Sequence, residues 1–87
     1  MKIEIIVHRS VEYKAWRITS LAECEWPAWL LDARERGVVI RCKDGYITKN
    51  SQVLRVGDYV VNDEIPAIFD QGEFARNFRT IRVEVGS

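Results

Sequence analysis

The chain opens on alternation. Ile3, Ile5 and Val7 take one parity, Lys2 and Glu4 take the other, and Ile6 is out of phase, which predicts a strand over Lys2 to Val7. A second extended segment runs from Val11 to Ile18. Val11, Tyr13 and Ala15 share one parity while Trp16 and Ile18 have the other, so this segment either bulges near Ala15 or is buried on both faces. Ser20-Leu21-Ala22-Glu23 has capping-box spacing and predicts a short helical turn. A longer helix then starts at Pro27, whose missing N–H suits a first helical position. Trp26, Trp29, Leu30 and Ala33 form one apolar stripe at helical spacing. Arg34 and Arg36 place cations in the last turn, and Gly37 is the stop.

The second half of the chain reads as short strands and turns. Val38, Ile40 and Cys42 alternate with Val39, Arg41 and Lys43, with Cys42 taken as inward. Asp44-Gly45 signals a hairpin turn of type I′, with positive φ at both central positions, and Tyr46-Ile47-Thr48 returns. Asn50-Ser51-Gln52 is a loop, Val53 to Val56 leads into a turn at Gly57-Asp58, and Tyr59 to Asn62 is a strand. Asp63-Glu64 makes a polar turn before a strand from Ile65 to Phe69, which Pro66 pushes to an edge. Gln71 to Phe78 reads as one or two helical turns, with Phe74 and Phe78 at i,i+4. Arg79 to Val85 closes as a strand, with Ile81, Val83 and Val85 inward and Thr80, Arg82 and Glu84 outward. The order predicts a single α+β domain over residues 1–87: a mainly antiparallel sheet, a meander of hairpins, packed against one central helix, with a short C-terminal helix before the last strand.

Composition narrows the function classes. With 87 residues, 47 % hydrophobic and 30 % charged, this is an ordinary globular composition for one small domain. Three Trp, three Tyr and three Phe are core material, so a deep enclosed active site would compete with the core for the same side chains. Lysine plus arginine equals aspartate plus glutamate at 13 each, which argues against a dedicated sequence-blind nucleic-acid binder and removes one brake on self-association. No run approaches the ~20 apolar residues of a membrane span, and Glu4 interrupts the apolar start that a signal peptide would need. Two cysteines, Cys24 and Cys42, read as free thiols in a reducing cytoplasm.

Candidate chemistry is sparse. His8 is the lone histidine and lacks a second ligand-type cluster for a metal, or a nucleophile and orienting acid for a triad. Glu23 and Glu25, or Asp63 and Glu64, read as solvated turn and capping groups, not as paired carboxylates. Gly57-Asp58-Tyr59 reads as turn chemistry, with Gly57 at positive φ and Asp58 bonding nearby N–H groups; Gly37, Asp44 and Gly45 are structural in the same sense. Trp26 and Trp29 fall on the sheet-facing stripe, which leaves Trp16 and Tyr46 as the aromatics open to a binding role.

His8-Arg9-Ser10-Val11-Glu12-Tyr13-Lys14-Ala15-Trp16, Pro27-Ala28-Trp29-Leu30, Val56-Gly57-Asp58-Tyr59-Val60 and the closing pair Phe74 and Phe78 occur in an order that resembles a group of small phage and prophage proteins of unassigned function. That group is known for a Pro-Gly-Asp-Tyr-Leu motif; here Val56 stands for the proline and Val60 for the leucine, and residues 1–7 are an addition. The resemblance implies a phage origin and a compact α+β fold, and carries no chemistry.

Charge order adds a function expectation. From Arg34 to Gly57 six bases (Arg34, Arg36, Arg41, Lys43, Lys49, Arg55) stand against two acids, a balance of +4. From Asp58 to Ala75 there are five acids and no base, a balance of −5. Sheet neighbours could neutralise each other; otherwise the surface is bipolar and suits self-association or docking on a charged partner. The expectation is a non-enzymatic, phage-encoded accessory protein of the bacterial host cytoplasm, binding a protein partner and forming a small homo-oligomer, with no cofactor, metal or membrane. The alternative is a nucleic-acid or nucleotide binder that uses the basic hairpin (Arg41, Lys43, Lys49, Arg55), with Trp16 or Tyr46 stacking on bases.

Overall fold

The computed structural model describes residues 2–86, and side chains from 5 to 83. Seven strands and two helices follow in order: β1 (Lys2–His8), β2 (Glu12–Arg17), a 3₁₀ turn (Glu23–Glu25), α1 (Ala28–Glu35), β3 (Val39–Cys42), β4 (Gly45–Thr48), β5 (Tyr59–Val61), β6 (Ala67–Phe69), α2 (Gln71–Asn77) and β7 (Arg79–Gly86). The fold is α+β. Five strands form an antiparallel sheet in the order β6-β5-β2-β1-β7, and β3 and β4 form a separate hairpin.

The main sheet is buried on both faces, and this explains the parity switch in β2. Ala15 is 0 % exposed and Trp16 is 4 %, on opposite faces of the same strand. On one face, Trp16, Ile18, Val60 and Ile68 pack with Trp26, Leu30 and Ala33 and with Val39, Tyr46 and Leu54. On the other face Val7, Ala15 and Val61 pack under Phe74 of α2, flanked by Ile5, Tyr13, Tyr59, Phe69 and Phe78. Ile6, out of phase with its neighbours, is itself buried. The register breaks instead between Ile6 and Val7 on the β7 side: Ile6 faces Arg82, Val7 faces Thr80, and Ile81 is the extra residue.

Local chemistry sets the helix ends. Pro27 caps α1 from an extended conformation, one position earlier than a first helical residue, and its carbonyl accepts from Leu30 and Leu31. Gly37 ends the helix at φ +79°, with Val38 N–H donating to the Ala33 carbonyl and Gly37 N–H to Arg34, the paired bonds of a Schellman stop. The capping box falls elsewhere than the Ser20–Glu23 spacing predicts. The 3₁₀ turn has no side-chain cap, while Asp70 accepts from Glu73 N–H at 2.8 Å and its own N–H donates back to Glu73 Oε1 at 3.4 Å. That bond from Glu73 N–H holds the Asp70 carboxyl below its ordinary range.

Two further expectations are corrected. The hairpin phase is inverted: Val39 is buried while Ile40 and Cys42 are exposed, because Val39, Tyr46 and Thr48 form the inner face. Its two turn residues are Lys43 and Asp44, both at negative φ, with Gly45 opening β4; the turn is therefore not the type I′ loop centred on Asp44-Gly45. The inward reading of Ile81 and Val83 also fails, since they are 41 % and 60 % exposed. Phe74 of α2 covers Val7, Ala15 and Val61 of β1, β2 and β5, and Ile81 and Val83 of β7 lie outside that cluster. The readings of Lys2, Ile3, Glu4, Glu84 and Val85 concern side chains outside those described.

The two margins of the main sheet are treated differently. At β6, Pro66 precedes the strand, and the Gln52 side chain acts as a short pairing partner: Ile68 N–H donates to Gln52 Oε1 and Gln52 Nε2 donates to the Ile68 carbonyl, both at 3.1 Å. At β7, among the described residues, nothing pairs with the outer side of the strand.

Candidate functional site

The hairpin's inner face is tied to the core by position. Tyr46 stacks edge-on against Trp26 with centroids 4.6 Å apart, and its hydroxyl donates to Glu23 Oε2 at 2.7 Å. Thr48 N–H donates to the Gln52 carbonyl and Leu54 N–H to the Tyr46 carbonyl, so residues 52–54 run beside β4 as a third, irregular strand. Residues that alternate with this inner set must then face outward. Ile40 lies opposite Ile47, and Ile47 opposite Val53, which places three aliphatic side chains side by side across three chain segments. Ile40 is 47 % exposed and Val53 43 %, and no other element covers the row among the described residues.

Cations lie near this row in the chain. Lys43 lies at the hairpin tip, Arg41 stands opposite Tyr46 and so shares the parity of the inner face, and Lys49 and Arg55 follow two residues after Ile47 and Val53. All four are exposed. Arg55 also lines a groove of about 400 Å³ whose other walls include Asp58, Asp70 and Glu73, so the charge segregation along the chain is softened at its boundary.

The aromatics expected to accompany these cations are not on the surface. Trp16 is 4 % exposed and Tyr46 7 %, both within the main core, because β2 is buried on two faces and the hairpin turns Tyr46 inward. Neither offers a face for stacking. Gly57 has the positive φ that the turn requires, at +101°. The bonds of that turn run through main-chain atoms: Gly57 N–H donates to the Ile18 carbonyl and Ile18 N–H to the Asp58 carbonyl, both at 2.8 Å. These ties fasten the end of β2 to the start of β5, and they involve the Asp58 backbone where its side chain was expected.

The remaining reactive residues are scattered by the fold. His8 lies opposite Glu12 and Arg79 at one end of the main sheet, whereas Cys42 is exposed on the hairpin and Cys24 on the 3₁₀ turn. The described residues include no group of three or more His, Cys, Asp or Glu side chains placed to hold a metal ion. A second, smaller concavity of about 80 Å³ lies on the opposite sheet face, between Arg9, Tyr13, Asp63, Phe69 and Phe78. Arg9 sits over the Phe78 ring at 6.0 Å. No helix among the described residues is long and apolar enough to cross a membrane. No family model, curated protein or solved structure matches this chain.

Tyr46 gives a pH-dependent readout of the hairpin's attachment. Its hydrogen bond to Glu23, its burial and the Glu23 charge raise its pKa above the ordinary tyrosine value, with Arg41 and Arg34 opposing weakly. An unfolded tyrosine ionises near ~10. The folded state therefore holds the proton more tightly, and the stabilisation is complete below that pH and is lost as pH rises through the folded-state value. A bond from a hydroxyl to a charged acceptor contributes about 2 kcal/mol. Urea denaturation should show wild type ahead of Tyr46→Phe by about that amount near pH ~8, with the gap narrowing as pH rises above ~10. A gap that does not change with pH would contradict this assignment.

Proposed function

We propose that this chain is a non-enzymatic, phage-encoded accessory protein of the host cytoplasm, which docks on an acidic protein partner through the outer face of the β3–β4 hairpin. The observation that carries the reading is the aliphatic row Ile40–Ile47–Val53 in cross-strand register, with Ile40 and Val53 exposed, Ile47 half-buried between them, and the exposed cations Lys43, Lys49 and Arg55 near it in the chain. Exposed aliphatic side chains in isolation are ordinary, but a contiguous row rimmed by charge of one sign is the pattern of a docking patch. Its complement is a segment with an apolar strip edged by aspartate or glutamate. The phage origin rests on the sequence resemblance. The non-enzymatic reading rests on the separation of His8 from both thiols.

Affinity capture from host lysate, followed by reconstitution with the purified partner, tests the reading. Ile40→Thr/Val53→Thr keeps two β-branched side chains and removes apolar surface, so the fold should survive. The double variant should weaken the reconstituted complex by at least ~30-fold, equivalent to about 2 kcal/mol. Unchanged affinity would remove the hairpin as the docking face.

A second reading is favoured by Lys43, Lys49, Arg55 and Arg41, all exposed: phosphate contacts to nucleic acid, now without aromatic stacking. Binding of labelled single- and double-stranded DNA should then fall steeply between ~50 and ~200 mM salt. Absence of salt-sensitive binding would eliminate it.

A further inference from the structure

We propose that the concavity between Tyr13, Phe69 and Phe78 binds a small alkylated ammonium head group, with Asp63 as its counter-charge and Arg9 as a competing occupant from the chain itself. The inference is separate from the docking reading and involves none of the hairpin's residues.

The fold builds this concavity from segments far apart in the chain. Phe78 ends α2, Tyr13 belongs to β2 and Phe69 to β6. Tyr13 and Phe69 both meet the Phe78 ring edge-on, with centroids 6.2 and 5.1 Å away and interplanar angles of 87° and 75°. Two aromatic walls thus stand nearly at right angles to a third, beside Val61 and Ala67. All three rings are half-buried, so each keeps part of its surface open. The space between them is about 80 Å³. Pockets for drug-sized ligands run to roughly 300–1,000 Å³, so this one has room for a head group and not for a nucleotide.

Charge selects the occupant. The face of an aromatic ring is electron-rich and attracts a cation within ~6 Å of its centroid. The chain itself shows the attraction: the Arg9 guanidinium lies over the Phe78 ring at 6.0 Å, the outer limit of that range. Arg9 is exposed in the loop between β1 and β2, so a cation seated deeper among the rings can displace it. Asp63 supplies the counter-charge. Ala15 lies opposite Val61 and Asn62 N–H donates to the Lys14 carbonyl, and continuing that register sets Asp63 level with Tyr13. Among the described residues its carboxylate accepts only the Glu64 N–H, at 2.7 Å, and no ion pair neutralises it. A metal ion would need more oxygen ligands than this one carboxylate offers. An ammonium bearing methyl groups matches both halves of the site, since its alkyl surface packs on the rings while its charge faces them and Asp63.

Titration of the full, isotope-labelled chain with choline chloride at constant ionic strength tests the proposal by amide chemical shifts. Saturable changes at Tyr13, Asp63, Phe69 and Phe78 should give a dissociation constant on the order of millimolar. The neutral isostere 3,3-dimethyl-1-butanol has the same shape without the charge and should bind at least ~10-fold more weakly. Asp63→Asn should weaken choline binding ~3-fold or more, and Arg9→Gln should strengthen it by a similar factor. Both residues are exposed, so neither substitution threatens the fold. Phosphatidylcholine vesicles present the same head group on lipid; binding in either arm supports the site, and the arm that binds assigns the source. Absence of saturable binding in both arms would overturn the proposal. So would an isostere that binds as well as choline, an Asp63→Asn variant with unchanged affinity, or an Arg9→Gln variant that binds more weakly.

Discussion

Trp26→Ala should lower the melting temperature by about 15–30 °C, the largest effect of any single substitution in this chain. Trp26 is fully buried, yet it belongs to neither the main sheet nor a helix interior. It sits between the 3₁₀ turn and α1, stacks edge-on against Tyr46, and donates its indole N–H to the Ser20 carbonyl at 3.3 Å. One side chain therefore joins the loop leaving β2, the start of α1 and the hairpin. Truncating a buried tryptophan costs about 3–5 kcal/mol. A domain of this size has on the order of 5–10 kcal/mol in total. Trp26→Phe keeps a ring against Tyr46 and loses the hydrogen bond and some volume, so it should recover about half of the loss. Thermal melts followed by circular dichroism decide the matter; an alanine variant within about 5 °C of wild type would mean that this junction is not where the fold is held.

Phe74→Ala should cost about 3 kcal/mol, the second-largest loss. Phe74 is the buried residue through which α2 closes the second face of the sheet, over Val7, Ala15 and Val61. Its ring lies parallel to Tyr59 at 4.1 Å and also contacts Phe78 at 5.3 Å. A helix of seven residues has too few internal bonds to persist alone, so its order depends on this packing. Phe74→Leu retains much of the volume and should cost about 1 kcal/mol. Urea midpoints of the two variants separate loss of packing from loss of aromatic stacking. An alanine variant within about 0.5 kcal/mol of wild type would show that α2 does not hold the second core.

The residues most readable in the sequence were those with a single physical role. Gly37, Gly57 and Pro66 each satisfy one local rule, and the structure places them where that rule says; of the stripe Trp26, Trp29, Leu30 and Ala33, three are buried and Trp29 is half-buried against the same core. Phase was harder to read. Val38, Val39 and Ile40 are three consecutive aliphatic residues, so alternation alone cannot choose which of them faces in. Tyr46 and Leu54 decide it, through contacts with Trp26 and with the main sheet that are remote in sequence. The row Ile40–Ile47–Val53 was hidden for the same reason, because its residues come together only when residues 52–54 fold beside β4. A usable signal was nonetheless present: once Tyr46 is assigned inward, Ile47 has to face out. Ile81 and Val83 alternate as buried residues do, but their exposure depends on how far α2 reaches across the sheet, and no local pattern encodes that distance. Trp16 and Tyr46 were open to a binding role because aromatic side chains serve cores and binding platforms alike; burial on both faces of β2 and the inverted hairpin phase put both in the core.

Amide chemical-shift mapping with the reconstituted partner tests the account most directly. Labelled protein titrated with the partner should show its largest perturbations at Ile40, Ile47, Val53 and the flanking Lys49 and Arg55, with little change at Tyr13, Asp63 and Phe78. Perturbations concentrated on the Arg9–Phe78 concavity, with the hairpin silent, would contradict it.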